Sequence, residues 1–530
     1  MKFTEKEAPV FLTLALAVGL FLGTTLTEKR TQQLMPRQTD VPVSKLDYVR
    51  ALVDAYYFEK KDADSLTDEM VTAMLQTLDP HSSYVSARDV QQYNSVLIGE
   101  FEGIGVTFNI LHDTITVISV TPAGPSQKVG ILPGDRIVRI DDSTVAGVKI
   151  QNTEVIGKLR GKKGSRVKVH VQRHGCEKLL PFEIVRDKIP LHSVEVAYML
   201  DRQTGYIQIQ SFSATTGDEF SAALQKLLKQ GMQRLVLDLR GNSGGALQAA
   251  IAVCDELLGS RRVIVSTRGK SMGKQVFRAT SLGSFQDEDQ PLVVLIDEWS
   301  ASASEIVAGA VQDQDRGLII GRRSFGKGLV QRSFTLYDSS EVLLTVARYY
   351  TPTGRCIQKP FENYEEDLID RYLRGEMNSP DSIKVIDSLK FKTPKGKTVY
   401  GGGGIVPDIF IPIDTSGDYV YFNRISREGI LFQYAVEYTD KHRRELLAYE
   451  DVAAFDQAFT VSDAMVREMM ARGEGKNISP KGATPGAKRE LKKWCKAYIA
   501  RNLFGEEGFV YLNNKDDKML KKAMQILQKK

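Results

Sequence analysis

Three serines and one lysine carry the most reactive chemistry this chain offers. Ser300-Ala301-Ser302-Ala303-Ser304-Glu305 follows an apolar run from Leu292 and leads into Ile306-Val307-Ala308-Gly309-Ala310, so the serines fall at a turn from strand into helix. Small neighbours leave a hydroxyl exposed there, and a helix N-terminus favours negative charge developing beside it. Serine is also a preferred helix N-cap, so a structural use competes for each of the three. A nucleophilic serine needs a base. The six histidines are His81, His112, His170, His174, His192 and His442, and none lies between 192 and 442. A Ser-His-Asp triad would have to borrow its histidine from the edge of this region or from another domain. Lysine can replace it where a dry pocket keeps the amine neutral, and Lys327, between Gly326 and Gly328, is the best-placed candidate.

Lys327 also completes Gly321-Arg-Arg-Ser-Phe-Gly326-Lys327, the first part of a phosphate-binding loop. Gly328 then stands where Ser or Thr should hold magnesium, which argues against nucleotide binding.

The elements that must position these residues are legible as strand and helix alternation. Tyr206-Ile207-Gln208-Ile209, Leu235 to Arg240, Val263-Ile264-Val265, Leu292 to Ile296, Leu318-Ile319-Ile320 and Val342 to Ala347 read as strands. Residues 217–229, with Phe220, Leu224, Leu227 and Leu228 on one face, and 246–258 read as helices, giving a layered α/β core. Gly241-Asn242-Ser243-Gly244-Gly245 is a glycine-rich turn directly after one of those strands.

Upstream, the period changes to that of strands at Gly103-Ile104-Gly105-Val106-Thr107-Phe108 and Thr114-Ile115-Thr116-Val117. Pro122-Ala123-Gly124-Pro125-Ser126 and Leu132-Pro133-Gly134-Asp135-Arg136-Ile137 follow. This ordering resembles a PDZ domain of the bacterial protease-associated kind, over about residues 100–186. Backbone N–H groups of a loop such as Gly103-Ile104-Gly105-Val106 can hold a carboxylate, while the adjoining strand edge adds the peptide as a further strand. The ligand implied is a free C-terminus.

The 530 residues are 42% hydrophobic and 26% charged, enough for three or four globular domains. A net charge of +5 is small for this length and gives no reason to expect a nucleic-acid surface. The four cysteines, Cys176, Cys254, Cys356 and Cys495, are far apart and form no zinc or redox motif. From Ala8 to Leu26 the chain is uncharged and rich in Leu, Val and Ala, close to the roughly 20 residues a membrane-spanning helix needs. An uncleaved anchor is the reading favoured over a cleaved signal, and either exports the rest.

Several segments together resemble the carboxyl-terminal processing, or tail-specific, proteases. They are Leu78-Asp79-Pro80-His81-Ser82-Ser83-Tyr84, Leu237 to Gly245, Ser300 to Ile306, Ser324 to Gln331, Tyr349 to Arg355 and Gly404 to Ile409. The resemblance implies a multi-domain α/β protein whose layered protease core is of the ClpP/crotonase kind. It has an inserted PDZ-like β-rich domain, a helical N-terminal cap and a helical C-terminal extension. The corresponding boundaries are 1–27 for the anchor or signal, 28–98 for linker and cap, 99–186 for the PDZ-like domain, 187–414 for the core and 415–530 for the extension.

Carried over by position, the resemblance makes Ser302 the nucleophile, Lys327 its base and Gln331 the residue that orients the lysine. It puts the oxyanion hole at the N–H groups of Ala303 and of Gly245 or Gly244. Gln331 lies one helical turn from Lys327 if this piece is helical. The implied activity is serine endopeptidase, acting through an acyl-enzyme on protein or peptide substrates with free C-terminal tails, without metal or organic cofactor. The implied location is the cell envelope, membrane-anchored on the periplasmic side or secreted there. A tail-binding adaptor without catalysis, or a small-molecule Ser-Lys amidase, are the competing readings. The lysine-rich C-terminal segment reads as a solvated helical appendage, with substrate tethering or homo-oligomerisation as the other use.

Overall fold

A computed structural model describes residues 44–173, 175–414 and 419–529. Residues 44–78 form one compact unit, and the described residues from Asp79 onward form another. In the first, helices Lys45–Tyr56 and Ala63–Gln76 begin at Ser44 and Asp62, whose side chains accept the N–H groups of Asp47 and Ser65. Each cap satisfies a donor that the first helical turn leaves open. The apolar segment Ala8 to Leu26 lies outside the described residues. Among those described, no helix is long and apolar enough to cross a membrane.

A six-stranded sheet organises the second unit. Its strands run Val196–Met199, Thr204–Gln208, Arg234–Asp238, Leu292–Ile296, Leu318–Gly321 and Ile409–Phe410 in spatial order. The first pair is antiparallel and the others are parallel. Parallel neighbours need crossovers, and helices Thr216–Lys229, Leu247–Leu257 and Ala303–Asp313 lie on those connections. Strand alternation then decides which face each residue serves. Leu235, Leu237, Val294 and Ile296 pack with the three helices, while Val236, Val293 and Leu295 point the other way.

That second face is covered by the last helix, Lys518–Leu527, through Met519, Leu520, Ala523 and Leu527. The expected solvated appendage is therefore corrected. The rest of the extension, from helix Tyr419–Arg427 to helix Pro485–Asn514, has its own core around Phe455, Met469, Leu491 and Cys495. A sheet apolar on both faces must be covered on both. The last helix does so with one stripe of apolar residues at helical spacing, and its lysines disguise that stripe in composition.

An antiparallel sheet adjoins this layer. Strands Leu329–Thr335 and Ser83–Val85 both pair with Glu341–Tyr350, which continues onto Val263–Gly269 and Gly273–Arg278. Residues between 100 and 190 form the β-rich module. Strands Val106–Leu111, Thr114–Val120, Arg136–Ile140, Arg166–Gln172 and Leu180–Val185 follow in spatial order, with helix Asn152–Leu159 packed on them. The chain enters and leaves through a two-stranded ribbon, Glu100–Gly103 with Asp187–Pro190.

Removing packed apolar atoms from a site that cannot collapse costs about 2–5 kcal/mol. Leu520→Ala should lower the unfolding free energy of the full chain by an amount in that range, read as a lower denaturant midpoint. An unchanged midpoint would mean the last helix is not part of the folded core.

Candidate active site

The turn Ser300 to Glu305 separates its three serines by what their hydroxyls touch. Ser300 is buried and its Oγ donates to the Leu239 carbonyl at 2.8 Å; Ser304 is buried and donates to the Asn242 carbonyl, also at 2.8 Å. Ser302 between them is partly exposed and is the N-cap of helix Ala303–Asp313. Its backbone sits at φ 54°, ψ −110°. A non-glycine residue held there costs on the order of 1–3 kcal/mol, a strain found at sharp turns that present a side chain.

Glu305 ties this turn to the Lys327 loop. The carboxylate is fully buried and takes four donors: Oε2 accepts the N–H of Ser302 at 2.8 Å and of Lys327 at 2.9 Å, while Oε1 accepts the N–H of Gly326 at 2.7 Å and the Ser324 hydroxyl at 2.5 Å. Sharing one oxygen keeps the amides of Ser302 and Lys327 within about 6 Å of each other. Burial pushes the Glu305 pKa up to about 7, against the four hydrogen bonds that favour the anion. The buried Tyr349 hydroxyl makes the matching link on the carbonyl side, to the Ser302 oxygen at 3.0 Å and to that of Lys327. Sequence reading gave neither residue a role. Glu305 stood only as the end of the serine hexapeptide, and Tyr349 only as the first residue of the segment Tyr349 to Arg355, beyond the strand read from Val342 to Ala347.

Lys327 lies in the loop before strand Leu329–Thr335, and its Nζ donates to Gln331 Oε1 at 2.9 Å. The helical spacing suggested for this pair is not what joins them. The register of the strand shifts between Val330 and Gln331, an irregularity that can re-aim a side chain. Gln331 Nε2 donates in turn to the His81 carbonyl, so the amide is held from both ends. Burial lowers the Lys327 pKa below the ordinary lysine value, partly opposed by Glu305 and Asp79. Gly326, at φ +94°, and Gly328 let the loop run tight against its neighbours. A Cβ on Gly328 would stand 2.9 Å from the Gln358 nitrogen.

Among the described residues, His81 is the histidine brought to this loop. Its Nε2 pairs with the Tyr364 hydroxyl at 2.6 Å, and burial, with Lys327 next, pushes its pKa down to about 4. At neutral pH the ring is uncharged.

The glycine-rich turn closes the site from the other side. The Asn242 carbonyl accepts from Ala301 N–H at 3.0 Å as well as from Ser304. Gly244, at φ +102°, is so close that a Cβ there would meet Ser302 Cβ at 2.8 Å and Ala303 N at 2.9 Å. The N–H of Gly244 is already spent on Asn242 Oδ1 at 2.8 Å, which leaves Gly245 as the donor of the pair. Among the described residues no cluster of His, Cys, Asp and Glu could hold a metal ion.

In the β-rich module, a groove of about 390 Å3 runs between edge strand Val106–Leu111 and helix Asn152–Leu159. Ile104, Gly105 and Val106 line it; Gly103 does not, being paired with Asp187 in the ribbon. Arg160 also lines it, stacked 4.6 Å from the Phe101 ring, and supplies a cation that the sequence reading missed.

Residues 203–367 match the model of peptidase family S41, residues 103–184 that of a PDZ domain, and residues 421–505 a family of unknown function, DUF8443. The carboxy-terminal-processing protease of Bartonella bacilliformis is 37% identical over 419 residues, 78% of this chain and 92% of that protein. The carboxy-terminal processing protease CtpA of Bacillus subtilis is 33% identical over 351 residues, 66% of this chain and 74% of that protein. A solved photosystem II D1 C-terminal processing protease is 28% identical, covering 67% of this chain and 85% of that one with a TM-score of 0.36. The chain belongs to the carboxy-terminal processing proteases, serine-type peptidases of family S41 that carry a PDZ domain.

Proposed function

We propose that Ser302 is the nucleophile and Lys327 the general base of an endopeptidase that takes its substrates by their C-terminal tails. The observation that carries this reading is the pair of backbone ties, Glu305 to both N–H groups and Tyr349 to both carbonyls, which joins two partly exposed residues 25 positions apart, one with a hydroxyl and one with an amine. Neutral Lys327 takes the proton from Ser302 Oγ as Oγ bonds to the scissile carbonyl carbon. Negative charge moves to the carbonyl oxygen, where the N–H groups of Ala303 and Gly245 receive it. The C–N bond then breaks, and the departing amine takes the proton back from Lys327. Water, deprotonated by Lys327, hydrolyses the ester and restores Ser302. Gln331 accepts from the amine throughout and fixes its direction.

The PDZ groove supplies the tail. Its open strand edge adds a peptide strand, and the Ile104-Gly105-Val106 loop with Arg160 suits a terminal carboxylate. An adaptor without catalysis is disfavoured because each member of the dyad is present with its support. The apolar segment Ala8 to Leu26 carries the chain out of the cytoplasm, as a membrane anchor or as a signal, with the peptidase in the cell envelope.

Full-length protein should cut an unstructured, tail-bearing substrate, and Ser302→Ala should abolish cutting while leaving tail binding intact. Cleavage surviving in that variant removes Ser302 from its role, and equal cleavage of a substrate with an amidated C-terminus removes the tail from recognition. The pH profile gives a second outcome. Because burial lowers the Lys327 pKa, the neutral amine becomes available at lower pH than for a free lysine, so kcat should rise with pH through a midpoint below about 10.4. A rise centred at or above the ordinary lysine value would contradict a buried neutral base.

A further inference from the structure

The C-terminal extension reaches the catalytic turn through one ion-pair chain. Arg240 is the last residue before Gly241-Asn242-Ser243-Gly244-Gly245. Its Nε lies 2.9 and 3.0 Å from the two Asp238 oxygens, and its Nη2 donates to Asp238 Oδ2 at 2.6 Å. Asp238 is fully buried at the end of its strand, where Tyr206 also donates to it at 2.7 Å. The remaining arm of the fork, Nη1, donates to Asp517 Oδ2 at 2.5 Å. Asp517 belongs to the extension and is the N-cap of the last helix, its Oδ1 accepting the Leu520 N–H at 2.8 Å. Both side chains are four-fifths shielded from solvent.

This arrangement does more than join two layers. A guanidinium is a rigid planar fork, so fixing its arms on two carboxylates fixes the direction in which the main chain leaves Arg240. That main chain becomes the glycine turn within four residues. Beyond Arg240 the turn is held by Gly241 N–H to Asp297 Oδ1 at 3.0 Å, by Asn242 through its carbonyl against the nucleophile turn and its Nδ2 to the Ile209 carbonyl at 2.8 Å, and at its far end by Phe212, which donates to the Gly244 carbonyl at 3.0 Å and accepts the Ala246 N–H at 2.7 Å. Arg240 therefore anchors the near end of the turn, and one of the two carboxylates that grip it comes from a residue over 270 positions later in the chain.

We infer that Asp517 is a positioning residue for the oxyanion-binding turn, so that the C-terminal extension is part of the catalytic apparatus as well as of the fold. The inference rests on the Ser302 reading and on Gly245 as an oxyanion donor. Asp517 touches no substrate and acts through Arg240 on where the Gly245 N–H points. A donor displaced by a fraction of an ångström loses much of its worth in the transition state and little in substrate binding, because the oxyanion exists only after attack.

The test compares full-length wild type with Asp517→Asn, Asp517→Glu, Leu520→Ala and Ser302→Ala on one tail-bearing substrate, with folding at the assay temperature checked by circular dichroism. Asp517→Asn should lose about tenfold or more in kcat with KM unchanged, and Asp517→Glu should recover part of that loss. Leu520→Ala, which weakens the same helix without touching Arg240, should lower the melting temperature and leave kcat within about twofold. The inference is overturned if Asp517→Asn keeps wild-type kcat while cutting depends on Ser302, or if Leu520→Ala loses as much kcat as Asp517→Asn. It also fails if the Asp517→Asn loss lies in KM. Cleavage that survives in Ser302→Ala overturns both the inference and the reading beneath it.

Discussion

The structure around the site depends on one buried carboxylate. Glu305 has no solvent to stabilise its charge, so each oxygen must be satisfied by the protein, and each takes two donors. Burying an anion is costly unless hydrogen bonds replace its hydration, and here the replacements come from the Ser302 turn and the Lys327 loop together. Losing either segment's geometry would leave the carboxylate short of partners. The Tyr349 hydroxyl adds the complementary constraint on the carbonyl side, so Ser302 and Lys327 are held through main chain. Their side chains stay available for chemistry.

Main-chain ties of this kind need a rigid frame, which the central sheet provides. Ser302 stands just past the end of strand Leu292–Ile296, and the glycine turn stands just past Arg234–Asp238 beside it. Two neighbouring parallel strands thus deliver Ser302 and the glycine turn to the same edge, at the carboxyl ends where ligands enter open α/β sheets. Lys327 arrives from the next strand but turns away into the antiparallel sheet, which carries Gln331 and Tyr349. Helices cover one face of the central sheet and the last helix of the chain covers the other. The extension thus completes the frame that carries the site.

Much of this was legible in the amino-acid sequence, for physical reasons that differ by residue. Continuous apolar runs such as Leu292 to Ile296 report strands buried on both faces because they are short and bounded by turn residues. The serine hexapeptide and Lys327 were recognisable because few residue types can do acyl transfer, yet choosing Ser302 among three serines rested on family resemblance. Only the committed hydroxyls of Ser300 and Ser304 supply a structural ground for it. The link between Lys327 and Gln331 was expected for the wrong reason, since an i, i+4 spacing suggests a helix and an irregular strand made the contact instead. Glu305 and Tyr349 were invisible as site residues because their importance lies in partners 20 or more residues away. The last helix was misread because composition averages its lysines with its apolar stripe, and only the uncovered sheet face says that the stripe is needed.

The central claim is that a lysine-activated serine at position 302 does the chemistry. Its most direct measurement is labelling of the full-length protein with a fluorophosphonate, with the adduct located by peptide mass mapping in wild type and in Lys327→Ala. The account predicts one adduct, on Ser302, forming at least about a hundredfold more slowly in the Lys327→Ala protein. An adduct on another residue, or a Ser302 labelling rate indifferent to the loss of Lys327, would contradict it.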